Sequence, residues 1–431
     1  MDILSKASNS NPKKIAVYYK EKTYTYEELN HWVNAIQKTL NSSLKEIRIG
    51  IKLSDPLEAL LCIWACLREG KQIYLLNHHH KTYAATLAKQ FNLNTIITLF
   101  PKDEISQNKA ISLPNRSMHA KIHLFTAGTT GNPKCVIHTV STLIHSAQAV
   151  INAVNFKQSD CWHCQLPLYH VSGLAIIIRT FLATASLQIL SNNQQFTHIS
   201  CVEKQLQELL KHPISSKLKC ILLGGSKINQ TLLTQGLNKK LPIYQSYGLT
   251  ELGSTCTLAP LTQETISFSG NPLPHIKIKI KNNFIHIKSP ALCIGYETPD
   301  QKITKISSNT FYNTNDLGNL SKTNQLLVKG RSNRMIIING ENIHLETIEA
   351  FIKSCKNIKQ CFLSPIKRTS QDTYYAIIEL NTQEKEFEER IKNEIKSHFS
   401  SLYIPEKIIK HQFKDSIKPS YTELQSIIET L

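Results

Sequence analysis

Apolar and polar positions alternate along the chain with two periods, and the changes of period mark its elements. Near the start, "KIAVYY" and "KTYTY" read as two strands joined by a Lys20–Glu21 turn. The stretch "TYEEL" follows, in which Thr25 and Glu28 have capping-box spacing ahead of a helix containing Trp32. Short apolar runs and amphipathic stretches then alternate: "IRIGIKL", a helix "PLEALLCIWACLREG" ending at Gly70, "QIYLL" and "TIITLF". Strand–helix alternation of this kind predicts a largely parallel sheet covered by helices. Further on come a helical stretch through "LIHSAQAVINAV", the segment "CWHCQLPLYHVSGLAIIIRT" and a strand–turn "CILLGGSKI".

From about Ile276 the texture changes. "IKIKIKNNFIHIKS" has period two around an Asn-Asn turn, which predicts an antiparallel hairpin with one polar face. "LLVKGRSNRMIIINGENIHLETIEAFIKSC" closes one strand at Gly330 and opens another run with a helix behind it. The last ~100 residues read as short of sheet-rich core, with two further amphipathic helical stretches, and a domain boundary is expected near Gly330 to Asn333. The expected fold is a multi-domain α/β chain. Residues 1–330 form a large domain of helix-covered sheets plus a β-rich subdomain, and residues 334–431 a small α+β domain.

Composition narrows the function classes. The 431 residues carry 41% hydrophobic side chains, enough for two globular cores. The formal net charge of +18 would suit a polyanionic ligand, nucleic acid or an anionic membrane, yet the lysines are diffuse and no compact basic run occurs. Nucleic acid is therefore not an expected partner. Eleven scattered cysteines, an odd number, point to reduced thiols in a cytoplasmic protein. The amino terminus lacks an apolar run of signal-peptide length, and no stretch approaches 18 apolar residues, so neither secretion nor a membrane span is expected. Cys161 and Cys164 form a close CxxC without a second pair at zinc spacing and read as core, while "HHH" at His78–His80 reads as a solvated loop.

The chemistry-bearing stretch is "TAGTTGNPKC", Thr126 to Cys135. Glycines let backbone N–H groups close around phosphate oxygens, while Thr129, Thr130 and Lys134 add donors and charge. It is not a Walker A loop, because Asn132 and Pro133 separate Gly131 from Lys134 and Cys135 follows. Taken alone it is another phosphate loop or a plain strand–turn–strand.

Several segments, in order, resemble the acyl-adenylate-forming family of acyl-CoA ligases, adenylation domains and luciferases. "TAGTTGNPKC" is similar to its phosphate loop, "YGLTE" (Tyr247–Glu251) to its Tyr-Gly-x-Thr-Glu signature and "TND" (Thr314–Asp316) to its ribose-binding Thr-Gly-Asp. "GRSN" (Gly330–Asn333) resembles its hinge, and "NGENI" (Asn339–Ile343) the loop that reaches the thiol acceptor. Within the family, "LPLYHVSGLAIIIR", "LKCILLGGSKI", "GNPLPHIKIKI" and "SIKPSYTEL" resemble the o-succinylbenzoate–CoA ligases of menaquinone biosynthesis.

The resemblance implies ATP, Mg²⁺ and coenzyme A acting on a small carboxylic acid, with an acyl-adenylate and then a thioester as products. It implies that Thr126, Thr129, Thr130, Gly131 and Lys134 embrace the β- and γ-phosphates, that Thr250 donates to the α-phosphate and that Glu251 holds Mg²⁺. Without the resemblance, "YGLTE" reads as a turn capping a helix. Asp316 would accept from the ribose hydroxyls beside Arg331, and Gln245, Ser246 and Tyr247 would border the adenine. Gly224, Gly225 and Ser226 would border the acyl pocket, with Gly225 also counted in the nucleotide site. Lys418 of "SIKPS" would bridge carboxylate and α-phosphate, although Ile417 replaces the glycine that commonly precedes it.

His170, Ser172 and Gly173 would meet the acid, His170 also standing as a catalytic candidate, and Arg179 follows inside an apolar helical run. A guanidinium there needs an anion: the second carboxylate of a dicarboxylic acid, an internal Asp or Glu, or else an exposed helix face. The small domain would rotate about residues 331–333, where Asn333 replaces the usual acid and Arg334 stands where another acid is frequent. Further departures are Ala127, Cys135, Asn315, Leu345 and Thr347. Rival readings are a related aryl or fatty acyl-CoA ligase, a carrier-protein adenylation enzyme, and a nucleotide-binding relative that has lost catalysis.

Overall fold

The computed structural model describes residues 2–43, 47–79, 81–100, 116–126, 134–191, 196–225, 228–338, 341–366, 372–399, 401–413, 419 and 421–429. The first elements follow the local signals. Strands Ile15–Tyr19 and Lys22–Thr25 pair antiparallel around Lys20, and the helix Tyr26–Ser43 opens on a reciprocal box. In it, Thr25 N–H donates to Glu28 Oε2 (2.7 Å) and Glu28 N–H to Thr25 Oγ1 (3.2 Å). Helix Pro56–Arg68 starts with Pro at its first position and the Asp55 carboxylate accepting from the N–H groups of Leu57 and Glu58; it is buried on nearly every face.

Two large mixed sheets carry the first three-quarters of the chain. In the nine-stranded sheet, six strands run parallel at the centre, from Ile243–Leu249 through Cys220–Leu223, His198–Cys201, Cys161–His163 and Ser186–Ile189 to Ile15–Tyr19. Antiparallel strands close both edges. In the seven-stranded sheet, Thr95–Ile97, Arg48–Ile51, Gln72–Leu75 and Lys121–Thr126 are parallel, and Lys134–Thr139, Gly295–Glu297 and Ile303–Lys305 continue antiparallel. The expected parallel sheet is thus two parallel centres with antiparallel flanks.

A third, four-stranded antiparallel sheet holds the hairpin Lys277–Lys281/Phe284–Lys288, whose Asn282 and Asn283 both take positive φ (50° and 64°). The largest apolar cluster draws its residues from Ile3 to Leu326, and a second draws from Ile336 to Ile408. The last hundred residues are richer in sheet than expected. Ile358–Ile366 pairs antiparallel with Thr373–Leu380, which pairs parallel with Lys407–Lys410. Cys161 and Cys164 are both buried, in keeping with a core role.

Candidate active site

The hydroxyl-rich loop hangs from the end of a hairpin. Strands Lys121–Thr126 and Lys134–Thr139 are antiparallel, with Thr126 opposite Lys134. Residues 127–133, and with them Thr129, Thr130 and Gly131, lie outside the described residues. On the other side of Lys134–Thr139 runs the strand Gly295–Glu297, with Tyr296 opposite Val136 and Glu297 opposite Cys135.

"YGLTE" is no helix cap. The strand Ile243–Leu249 runs through Gln245, Ser246 and Tyr247 to Leu249, and Thr250–Leu252 form one 3₁₀ turn without a side-chain cap, closed by Gly253 at φ 65°. Gly248 is required, since a Cβ there would lie 1.7 Å from the Ser254 carbonyl oxygen. His138 holds the turn from below: Nε2 donates to the Thr250 carbonyl (2.7 Å) and Nδ1 meets the Thr142 hydroxyl (2.9 Å). Burial pushes its pKa down to about 4, so the imidazole is neutral, with Nε2 carrying the proton. Glu251 Oε1 accepts from the Tyr296 hydroxyl at 2.7 Å. The Tyr312 hydroxyl lies 2.6 Å from that of Tyr296 and 3.3 Å from the same carboxylate oxygen.

Strand Tyr312–Leu320 carries Thr314 and Asp316. Between them Asn315 adopts φ 59°, the left-handed conformation that explains an asparagine where the family commonly has glycine. Asp316 is 3% exposed. Its Oδ2 accepts from the Tyr247 hydroxyl (2.6 Å), and Arg331 Nε lies 2.8 Å from Oδ1, off the hydrogen-bonding direction, so Oδ1 stays without a bonded donor. Burial raises the Asp316 pKa against the opposing pull of Arg331. Lys134, Leu249, Glu251, Tyr312, Thr314, Asn315, Arg331 and Ser332 together line a cavity of about 160 Å³. A lysine and a carboxylate at one end, and a buried Asp316 with a free acceptor beside the exposed Arg331 at the other, can take up a polyphosphate with its cation and a diol.

Around this centre, Gln245 is buried and donates to the Thr265 carbonyl (3.0 Å), and Ser246 donates to the Leu223 carbonyl (2.9 Å). A Cβ on Gly224 would come 2.5 Å from Ser246 Oγ, and Gly225 takes φ 92°. Ser226 lies outside the described residues. The acid-binding candidates sit on a different element, the helix Val171–Leu182. His170 is its exposed N-cap, its ring tilted against that of Tyr169, and Ser172 is half-buried. Gly173 lets the first turn settle on Leu166–Pro167, because a Cβ would lie 2.3 Å from the Pro167 carbonyl oxygen.

The surroundings of Arg179 bear on two of the three readings its position allowed. It is 2% exposed, so it does not sit on an exposed helix face. Among the described residues no Asp or Glu pairs with it. Its Nε donates to the Ala175 carbonyl one turn back (3.1 Å), its guanidinium carbon lies 4.5 Å from the Trp162 ring centroid, and Nη1 has no partner.

Lys418 lies outside the described residues. Asn333 falls in the 3₁₀ turn Ser332–Arg334, and Arg334 pairs with Glu349. The sequence reading missed His138, Tyr296 and Tyr312. The only local signal is that His138 stands four residues after Lys134 on one strand, whereas the two tyrosines reach Glu251 through tertiary pairing alone.

The profile of the AMP-binding enzyme family matches residues 102–285. The 2-succinylbenzoate–CoA ligase of Staphylococcus epidermidis is 28% identical, covering 94% of this chain and 92% of the relative. That of Escherichia coli is 32% identical over 56% of this chain and 54% of the relative. Among solved structures, the o-succinylbenzoate CoA synthetase of Bacillus subtilis in complex with its acyl-adenylate intermediate superposes with a TM-score of 0.84 at 23% identity, covering 98% of this chain and 96% of that one. The same synthetase with ATP and magnesium ion also gives 0.84 at 23% identity, covering 98% and 97%. At such identities the structures speak for the fold.

Proposed function

We propose a function on the footing that the chain belongs to the AMP-binding enzyme superfamily: it is an AMP-forming acid–thiol ligase that converts o-succinylbenzoate to o-succinylbenzoyl-CoA. The observation that carries the reading is the single cavity onto which Lys134, Glu251, Thr314 and Arg331 converge, with the free Asp316 Oδ1 behind them. Lys134, with the loop before it, receives the β- and γ-phosphates, and Asp316 and Arg331 hold the ribose. Among the described residues no cluster of three carboxylate, His or Cys side chains could hold a metal. Mg²⁺ fits this donor set, since it is held by one or two carboxylates and takes its other oxygens from phosphates and water. Glu251 would hold it, and when bound it spreads the charge that grows on the phosphates.

In the first step a carboxylate oxygen of the acid attacks the α-phosphorus, and the bond to the bridging oxygen breaks, releasing pyrophosphate. Thr250 and Lys418 offset the charge gathered on the α-phosphate. In the second step the coenzyme A sulfur, its proton lost, attacks the acyl carbon, and AMP leaves with the bonding electrons. The second carboxylate of the acid pairs with Arg179, which supports a dicarboxylate over the apolar acids of aryl and fatty acyl ligases. The division of labour we propose is residues 1–330 for binding, 331–333 as hinge and 334–431 for delivering Lys418, in a cytoplasmic setting. Among the described residues no helix is long and apolar enough to cross a membrane. Pyrophosphate release from ATP and o-succinylbenzoate, followed by AMP and thioester only when coenzyme A is added, tests the reading. No release with folded protein refutes it.

A further inference from the structure

We infer that Tyr296 is a positioning residue that fixes the spacing between Lys134 and Glu251, and thereby sets how readily the site takes up Mg²⁺ with ATP; this rests on the reading of Glu251 given above. Two contacts carry it. The Tyr296 hydroxyl donates to Glu251 Oε1 at 2.7 Å, and Lys134 Nζ lies 5.5 Å from the centroid of the same ring. One side chain therefore touches both charged groups at that end of the cavity. Among the described residues Lys134 and Glu251 form no ion pair with each other. A direct pair would neutralise both groups and have to break before a phosphate and a cation could enter. With Tyr296 between them, Oε1 is occupied by a neutral donor and Oε2 is left for the cation.

The strand that carries Tyr296 is held firmly. Its next residue, Glu297, points the other way into the core, where it accepts from Arg48 Nη1 (2.7 Å) and the Tyr74 hydroxyl (2.7 Å) and meets His123 Nε2 (3.2 Å). The strand also pairs directly with Lys134–Thr139, so the phenol is referenced to the lysine's own backbone. Tyr312 backs the arrangement from the opposite side, 2.6 Å from the Tyr296 oxygen.

The test compares Tyr296→Phe, Tyr296→Leu, Tyr312→Phe and Glu251→Gln. The Mg²⁺ concentration for half-maximal pyrophosphate release is measured for each, and so is ATP binding by calorimetry across a Mg²⁺ series, which needs no turnover. Loss of one hydrogen bond to a charged group predicts that Tyr296→Phe raises the half-saturating Mg²⁺ about tenfold, or ~1.4 kcal/mol, in both readouts. The ATP KM at saturating Mg²⁺ should stay within about twofold, since the ring under Lys134 remains. Tyr296→Leu should in addition raise that KM, by about threefold, as the cation–π contact is lost. Tyr312→Phe should shift the Mg²⁺ midpoint less, by about threefold, through its longer contact. If Glu251→Gln moves the midpoint and Tyr296→Phe does not, lowering only kcat or thermal stability, the inference is overturned and the role of Glu251 stands. If Glu251→Gln leaves the midpoint in place, both fall.

Discussion

Arg179→Met should stabilise the free protein while disabling it toward its acid. The arginine is buried, has no carboxylate among the described residues and leaves Nη1 unpaired. Burial pulls its pKa down to about 10, a shift worth ~3 kcal/mol against the charged form. Methionine fills similar length without a charge. It loses the stacking on Trp162, ~2 kcal/mol at a desolvated site, so the net gain is ~1 kcal/mol, where most buried substitutions cost about that much. The same change removes the partner we propose for the acid's second carboxylate, at ~3–4 kcal/mol, or 10²- to 10³-fold in kcat/KM. Urea unfolding of the two ligand-free proteins gives the first number. Steady-state rates with the dicarboxylate and with an analogue lacking the second carboxylate give the other, and the analogue should show no more than about a threefold change. A variant that is less stable and turns over the dicarboxylate undiminished would mean that Arg179 is a structural cation.

Three further outcomes are expected. Lys418→Ala should lower pyrophosphate release by about 10²- to 10³-fold while calorimetric ATP affinity changes little, because in the proposed mechanism the lysine acts on charge that develops in the transition state. Asp316→Asn should weaken ATP binding about tenfold or more, since the charged acceptor proposed for the ribose hydroxyls is replaced by a neutral one. Stability should depend on pH through His138. With a folded pKa of about 4 against about 6.5 unfolded, the unfolded chain binds more protons between those values. The His138 contribution is therefore complete above about pH 6.5 and is lost as pH falls, ~2 kcal/mol by pH 5. In urea titrations at pH 7 and 5, His138→Gln should flatten the difference by that amount.

Elements were legible where one short stretch dictates its own conformation. The Asn282–Asn283 turn between alternating strands, the Thr25–Glu28 box, and Pro56 and Gly70 bounding a helix each act within a few residues. The strands Ile358–Ile366 and Thr373–Leu380 escaped because they lack alternation. Cys361 to Ser364 are buried in succession, and Tyr374 to Glu379 likewise in a strand paired on both sides. A strand covered on both faces has no period of two to read. The motif residues were found in order, but what joins them was not: Tyr296 stands 45 residues from Glu251 in the chain, and tertiary contacts bring the two together, the pairing of its strand with Lys134–Thr139 and the bond from Cys293 N–H to the Glu251 carbonyl (2.7 Å).

Unpaired polar atoms separate structural charge from charge held for a ligand. Arg48 Nε and Glu379 Oε2 both lack a hydrogen bond, yet Arg48 has Glu297 and Glu379 has Lys359 as counter-charge. Their fields are balanced within the fold, and a missing hydrogen bond there costs little beyond ~1–3 kcal/mol. Among the described residues, Arg179 is surrounded by a carbonyl, an aromatic face, the neutral His198 ring and the Cys164 and Cys220 thiols. Burial raises both of those thiols' pKa values and keeps them neutral. An uncompensated buried cation is destabilising in any fold that does not use it. Its survival in an otherwise apolar helix makes sense if an anion arrives from outside, and the charge then serves discrimination: a monoacid leaves the penalty standing, while a diacid removes it on binding.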